Sequence, residues 1–218
     1  ASLEQKALQA QMNPHFIFNS LNSIQQYILS NNVEDANRYL SIFAALIRET
    51  LENSSSGRIS LDREIGYITK YLELERMRFG NSFTFTINKY NLDTEAKIEI
   101  PVMLLQPYVE NAVRHGMRYH SGGEGLIEID FRSKNGSIIC RIKDNGPGRR
   151  ESDRIRSKQH IQYQSQGMVL TQRRVDILNI IFEDKVSIEI RDVVSEKGFV
   201  AGTEVEITIT QLNNEDRN

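Results

Sequence analysis

Cysteine is nearly absent. Cys140 stands alone in 218 residues, so neither an internal disulfide nor a cysteine-based metal site is available. In the alternating run SIICRIKD it shares a strand face with Ile138 and Ile142, the place of a small buried apolar residue. Excess charge of either sign is missing too. A formal net charge of -2 gives no basic footprint, so no direct nucleic-acid partner is expected. No apolar run approaches the roughly 18 residues that a membrane-spanning helix needs. The opening ASLEQKALQAQ lacks the basic-then-apolar order of a secretory signal. It also lacks an initiating Met and enters helix-forming residues at once, as expected of a segment cut from a longer protein. The chain is 39% hydrophobic, which at this length allows a real core and one or two domains.

Up to about Gly80 the apolar period is helical. Ile17, Leu21, Ile24 and Ile28 recur at helical spacing and define an inward stripe on a first helix. Asn31 and Asn32 break it, and a second helix places Ala36, Leu40, Phe43, Ile47 and Leu51 on one face. After the polar loop ENSSSGR, Ser60 can N-cap a third helix, with Asp62 and Glu64 in its first turn and Leu61, Ile65, Ile68 and Leu72 inward. A hairpin with one apolar stripe per helix is a natural half of a dimeric four-helix bundle, and packing against the third helix is the competing use.

From Asn81 the pattern changes. SFTFTINKY and AKIEI alternate like strands, and a helix follows from about Met103 to His115. GLIEIDFRS and SIICRIKD then form a hairpin turning at residues 134–136. Another helix is expected over about Met168 to Phe182, then strands VSIEIRDV and TEVEITIT. The fold class is α+β: an N-terminal helical hairpin over residues 1–79, then an α/β sandwich over residues 80–218 with a mixed sheet and helices on one face. Between Asp144 and Met168 runs a long segment rich in charge, Gln and Ser. Its Arg and Lys would suit a lid over phosphates at about 149–166, and a solvated loop is the simpler reading.

Three places carry candidate chemistry. In QMNPHFIFNSLN, Pro14 and His15 sit inside what reads as an amphipathic helix, at a cost of about 3 kcal/mol for an interior proline. His15 lies off the apolar stripe, in a row with Asn19, Asn22 and Gln26. On the 103–115 helix Leu104, Leu105, Tyr108, Val109 and Ala112 face a core, leaving Glu110, Asn111, Arg114 and His115 elsewhere. Asn111 offers a neutral oxygen of the kind Mg²⁺ accepts when nucleotide phosphates balance its charge, and Arg114 and His115 follow one turn on. DNGPG ends a strand at residues 144–148. There Asp144 could accept a hydrogen bond from an exocyclic amine, and Gly146 and Gly148 permit close backbone approach. An ordinary tight turn uses the same residues, and Gly202 and Thr203 before the last strand are equally ambiguous.

The order of these segments is more specific than any one of them. NPHFIFNSLN, PVMLLQPYVENAVRHG, DNGPG, SQGMVLTQRRVDIL and GTEVEI together resemble the LytS-type sensor histidine kinases along nearly the whole chain. In that family the first segment corresponds to the phosphoacceptor box, the second to the N box, and the others to the glycine elements of the GHKL (Bergerat) ATP-binding fold. The glycine elements are shared with gyrase and chaperone ATPases. The resemblance implies that His15 is phosphorylated from ATP and passes phosphate to the aspartate of a response regulator. It further implies that Asn111 binds Mg²⁺ and that Asp144 reads the adenine amino group. Gly146, Gly148, Gly167, Met168 and Thr203 would line the nucleotide site, Arg114 and His115 would lie near phosphate, and Glu110 would be the polarising acid. A homodimer is implied, located at the cytoplasmic side of the bacterial inner membrane through an N-terminal sensor region absent here.

The departures are specific. The second glycine box of the family reads Gly-x-Gly-Leu-x-Asn, whereas Ser165, Gly167, Met168 and Leu170 occupy the matching positions, with Arg174 and Val175 fitting the pair downstream. An acidic residue often follows the phosphoacceptor histidine, and here it is Phe16. Asn19, one turn on, becomes the candidate for orienting the ring. Imidazole has an ordinary pKa of about 6.5 and already carries a lone pair at neutral pH, so it needs positioning more than deprotonation. A kink at Pro14 would lift His15 from regular packing. Two alternatives stand beside the kinase: a GHKL ATPase, and a non-catalytic dimerisation module with a degenerate nucleotide site.

Overall fold

The computed structural model describes residues 14–53, 57–92, 98–117, 124–148, 185–196 and 198–210. The expected lid, the helix at 168–182 and the second glycine box lie outside the described residues. The chain divides into two compact units, residues 1–82 with 98–103, and residues 83–97 with 104–218.

In the first unit, helices α1 (Pro14–Leu29), α2 (Val33–Asn53) and α3 (Leu61–Arg78) pack together. Asn31, at a φ of 58°, lets the chain reverse between α1 and α2. Asn32 accepts from the backbone N–H of Asp35 through its side chain, so it caps α2. Ser60 caps α3 as its sequence predicts, its hydroxyl accepting from the Arg63 N–H, and Asp62 and Glu64 fill the first turn. Leu61, Ile68 and Leu72 are buried, while Ile65 is half-buried. A short pairing escapes the sequence reading: β1 (Arg58–Ser60) runs antiparallel to β3 (Glu99–Pro101), in a separate two-stranded ladder.

The inward stripes of α1 and α2 differ from the expected ones. Leu21, Ile28, Leu40 and Leu51 are exposed, as are Phe18 (67% accessible) and Val33 (62%). Facing inward on α1 are Phe16, Ser20, Ser23, Ile24 and Tyr27. The physical reason is Tyr39 of α2. Its fully buried ring needs small residues opposite it, and its hydroxyl finds Ser20 Oγ at 3.3 Å. Burial pushes the Tyr39 phenol up from its ordinary pKa, with the Ser20 and Ser23 hydrogen bonds opposing. Tyr39, Leu74 and Met77 form the core here, and Phe16, Ile24, Tyr27, Ile42 and Phe43 pack around them.

The second unit is a five-stranded sheet in the order β2-β4-β5-β7-β6, comprising β2 (Phe83–Tyr90), β4 (Gly125–Lys134), β5 (Ser137–Asp144), β6 (Lys185–Val194) and β7 (Val200–Thr210). β2 and β4 are parallel and every other neighbour is antiparallel, so the sheet is mixed, as expected. A parallel pair needs a crossover, and the crossover carries helix α4 (Gln106–Asn111) and the π-helix Ala112–Met117. Asn135 and Gly136, both at positive φ, make the two-residue turn between β4 and β5. One sheet face is apolar: Ile127, Ile129, Phe131, Ile138, Cys140, Ile142, Val205, Ile207 and Ile209 are all buried. Cys140 lies between Phe131 and Ile207 in register, as its alternation predicts.

The opposite face holds a row of polar contacts that crosses all five strands. Asn88 Nδ2 donates to Asp130 Oδ1 at 2.9 Å, and Arg141 pairs with Asp130 Oδ2. Arg141 also reaches Glu204 at 3.8 Å, and Arg191 binds Glu204 at 2.7 Å. Burial pushes the Asp130 carboxyl up, but the hydrogen bonds from Asn88 and Arg141 outweigh it and hold the group below the ordinary carboxylate value.

Candidate functional site

The candidate residues fall into two groups. His15 and Asn19 lie four residues apart in α1. Phe16 packs its ring against Phe43 at 6.1 Å and Tyr71 at 5.5 Å. The residue that departs from the acidic pattern therefore anchors the turn that carries His15. The described helix opens at Pro14, and the first turn is where proline costs least. The proposed kink depends on the residues before it, which lie outside the described residues.

The other group lies in the second unit. Here the expected single helix at 103–115 is shorter and has two parts. Met103 takes a φ of 58°, α4 begins at Gln106 with Pro107 in its first turn, and the backbone widens into a π-helix at Ala112. Such a widening rotates the following side chains and is common at functional sites. Tyr108, Val109 and Ala112 are buried, as the sequence implies, and so is Val113. Glu110, Asn111 and His115 are half-buried, and Arg114 is exposed. Glu110 is held from both sides: Gln106 Nε2 donates to its Oε1 at 2.8 Å, and Arg114 lies 3.8 Å from its Oε2. Each contact spans one helical turn, the spacing at which side chains meet.

Asp144 ends β5 as a buried carboxylate, 6% accessible. Its Oδ1 accepts from the Gly146 N–H at 2.9 Å, which closes the turn on itself. Thr203 sits opposite Asp144 in the β5–β7 register. Glycines from three segments close around this point. A Cβ at Gly146 would lie 2.4 Å from Gly116 Cα, and one at Gly202 would lie 1.9 Å from the Asp144 carbonyl oxygen. Gly148, at a φ of 79°, would drive a Cβ to 2.2 Å from Val200. Gly146 thus admits the protein's own backbone, and Gly148 the Val200 side chain.

Two contributors were not singled out from the sequence. Asn145 fastens the turn to β4: its Oδ1 accepts from Leu126 N–H at 2.7 Å and its Nδ2 donates to Glu124 O at 3.0 Å. Gly116 is the other. The signal for Asn145 was present in DNGPG, whereas the value of Gly116 depends on contacts remote in sequence. Among the described residues no group of three or more His, Cys, Asp or Glu could hold a metal, so any cation here would rely on few protein ligands. Gly167 and Met168 lie outside the described residues.

Residues 3–83 match the histidine kinase family model. Over 146 residues the chain is 34% identical to the sensor protein LytS of Staphylococcus haemolyticus, covering 66% of this chain and 24% of that protein. The chain belongs to the LytS-type sensor histidine kinases. The sensor histidine kinase YpdA of Escherichia coli is 32% identical over 145 residues, covering 66% of this chain and 25% of its own. The LytS-type chain thus spans about a quarter of the length of these curated relatives. A solved structure described as a bacterial phosphotransferase matches its fold with a TM-score of 0.51 at 14% identity, over 95% of this chain and 96% of that one. Among the described residues of the LytS-type chain, no helix is long and apolar enough to cross a membrane.

Proposed function

We propose that this chain is the catalytic core of a two-component sensor kinase, which phosphorylates His15 from ATP and passes the phosphoryl group to a response-regulator aspartate. The observation that carries the reading is the convergence of the Glu110–Gly116 segment and the Asp144–Gly148 turn, two motifs about 30 residues apart, on one buried carboxylate. That arrangement fits an adenine nucleotide. Asp144 is acceptor-only when ionised, so it suits a base that presents an amine. Arg114 and His115 supply donors one turn from Asn111, whose side-chain oxygen suits Mg²⁺.

Magnesium-bound ATP supplies an electrophilic phosphoryl group with its charge partly neutralised. The chain's own residues do the rest. Asp144 holds the base, Asn111 the cation, and the Gln106–Glu110–Arg114 row keeps the acid beside Asn111 fixed. His15 supplies an imidazole lone pair, and Asn19, one turn along α1, orients the ring. Dimerisation completes the α1–α2 hairpin. Val33, Leu40 and Ile47 are seven residues apart, as are Leu21 and Ile28, the repeat of a helical seam, and all but half-buried Ile47 are exposed in the single chain.

The test is incubation with γ-labelled ATP and Mg²⁺ beside His15→Gln and Asn111→Ala. Acid-labile label on the wild type alone is expected. Free phosphate released without labelled protein would place the chain among the GHKL ATPases instead.

A further inference from the structure

Gly116 has no backbone reason to be glycine. It lies inside the π-helix, and its φ is outside the left-handed region where glycine is favoured. Glycine is a poor helix former beside alanine, so its presence there needs another cause. The cause is spatial. A Cβ at this position would lie 2.8 Å from both Cγ and Oδ1 of Asp144, and 3.0 Å from its Cβ. At Gly146 and Gly202 a side chain would first strike main-chain atoms and at Gly148 the Val200 side chain, whereas at Gly116 the three nearest atoms all belong to the Asp144 side chain.

We propose that Gly116 is a positioning residue for nucleotide specificity: the bare backbone of the π-helix is the wall against which the Asp144 carboxylate is seated to read an exocyclic amine. The inference rests on the nucleotide reading above and adds a residue to it. Oδ1 is tied to the Gly146 N–H, so the carboxylate cannot slide along the turn without losing that bond. The gap at Gly116 fixes its remaining freedom. Filling the gap leaves the fold's main-chain contacts in place and moves the reader. In a conventional α-helix a residue at this position would be rotated to a different bearing, which gives the π-helix a role in the site.

The experiment has two arms on the whole chain. In the first, Kd is measured for ATP and for purine riboside triphosphate, which lacks the 6-amino group, on the wild type, Gly116→Ala and Asp144→Asn. The wild type should prefer ATP by about tenfold, the worth of one charge-assisted hydrogen bond. Both variants should bring that ratio close to one. A Gly116→Ala protein that weakens both nucleotides equally, with the ratio kept, overturns the proposal. A wild type that fails to bind ATP overturns the nucleotide reading itself, and the two failures are distinguished by which protein shows them.

The second arm needs no nucleotide and covers the case in which Gly116→Ala folds poorly. Melting temperatures are compared for Gly116→Ala with and without Asp144→Ala, which removes both 2.8 Å contacts. Gly116→Ala should lower the melting temperature in the wild-type background and leave it unchanged or higher in the Asp144→Ala background. An equal loss in both backgrounds would show that the residue at 116 does not act through Asp144, and would overturn the assignment.

Discussion

The two units treat their outer surfaces in opposite ways. On the helical unit, Phe18, Leu21, Ile28, Leu29, Val33, Leu40 and Leu51 are exposed, apolar and arranged along α1 and α2. On the sheet unit the outer face is closed by charge, with Asn88, Asp130, Arg141, Glu204 and Arg191 linked from one edge strand to the other. A clustered apolar surface of this kind marks an interaction site. A paired polar face removes the incentive to associate and blunts the sheet edges. The contrast teaches that the helical unit keeps an apolar face open, the face that the proposed dimer would cover, while the sheet unit is finished on this face.

The largest effect should come from breaking the helical seam. Leu21→Glu with Leu40→Glu places four carboxylates in the interface of a dimer. Each leucine is about half covered already, so losing the rest of its burial at four positions forfeits about 4 kcal/mol of association, close to a thousandfold in Kd. Sedimentation should show a monomer, with the far-ultraviolet spectrum of the helices kept. A dimer that persists would mean that this surface is not where the helical unit is completed.

A smaller effect is expected on the sheet. Asp130→Ala leaves Arg141 facing a gap, and since the Arg141 side chain is 33% exposed while that of Asp130 is 5% exposed, the cost should be about 2 kcal/mol, below that of breaking a fully buried pair. The pH dependence has a fixed sign. The folded carboxyl is held below its unfolded value, so its stabilisation is complete above about pH 4 and is lost as pH falls through the folded pKa. Asp130→Asn should therefore flatten the acid limb of a stability-against-pH curve. An unchanged limb would show that the polar row is surface decoration.

Much of this contrast is legible in the sequence, and its gaps have causes. Period-two alternation announces β2, β4, β5, β6 and β7, most plainly where β4, β5 and β7 bury one face of the sheet. Asn135-Gly136 announces its own turn. AKIEI announces β3, whereas the three-residue β1 is too short to alternate. The inward stripe of α1 misleads because Leu21 and Ile28 are exposed despite being apolar, while Ser20 and Ser23 are buried beside the Tyr39 ring. The π-helix leaves no periodic signature, since a single widened turn shifts only the residues after it. In the site, DNGPG reads correctly as a turn, yet what its glycines touch lies at 116, 200 and 202, and only the fold brings those together.

The smallest effect sharpens the comparison by asking whether the two units unfold separately. Ser60→Ala removes the hydroxyl that accepts from the Arg63 N–H and should cost about 1 kcal/mol, the usual worth of an N-cap. If the units open independently, hydrogen exchange should quicken at the α3 amides by roughly fivefold, the kinetic equivalent of that loss, and stay unchanged at the β4–β5 amides. The cap belongs to the helical unit alone, so nothing in the β4–β5 ladder depends on it. Equal acceleration in both would mean that the α3 opening is part of global unfolding. The contrast between an incomplete helical unit and a finished sheet would then concern surfaces alone, because the two would share one cooperative stability.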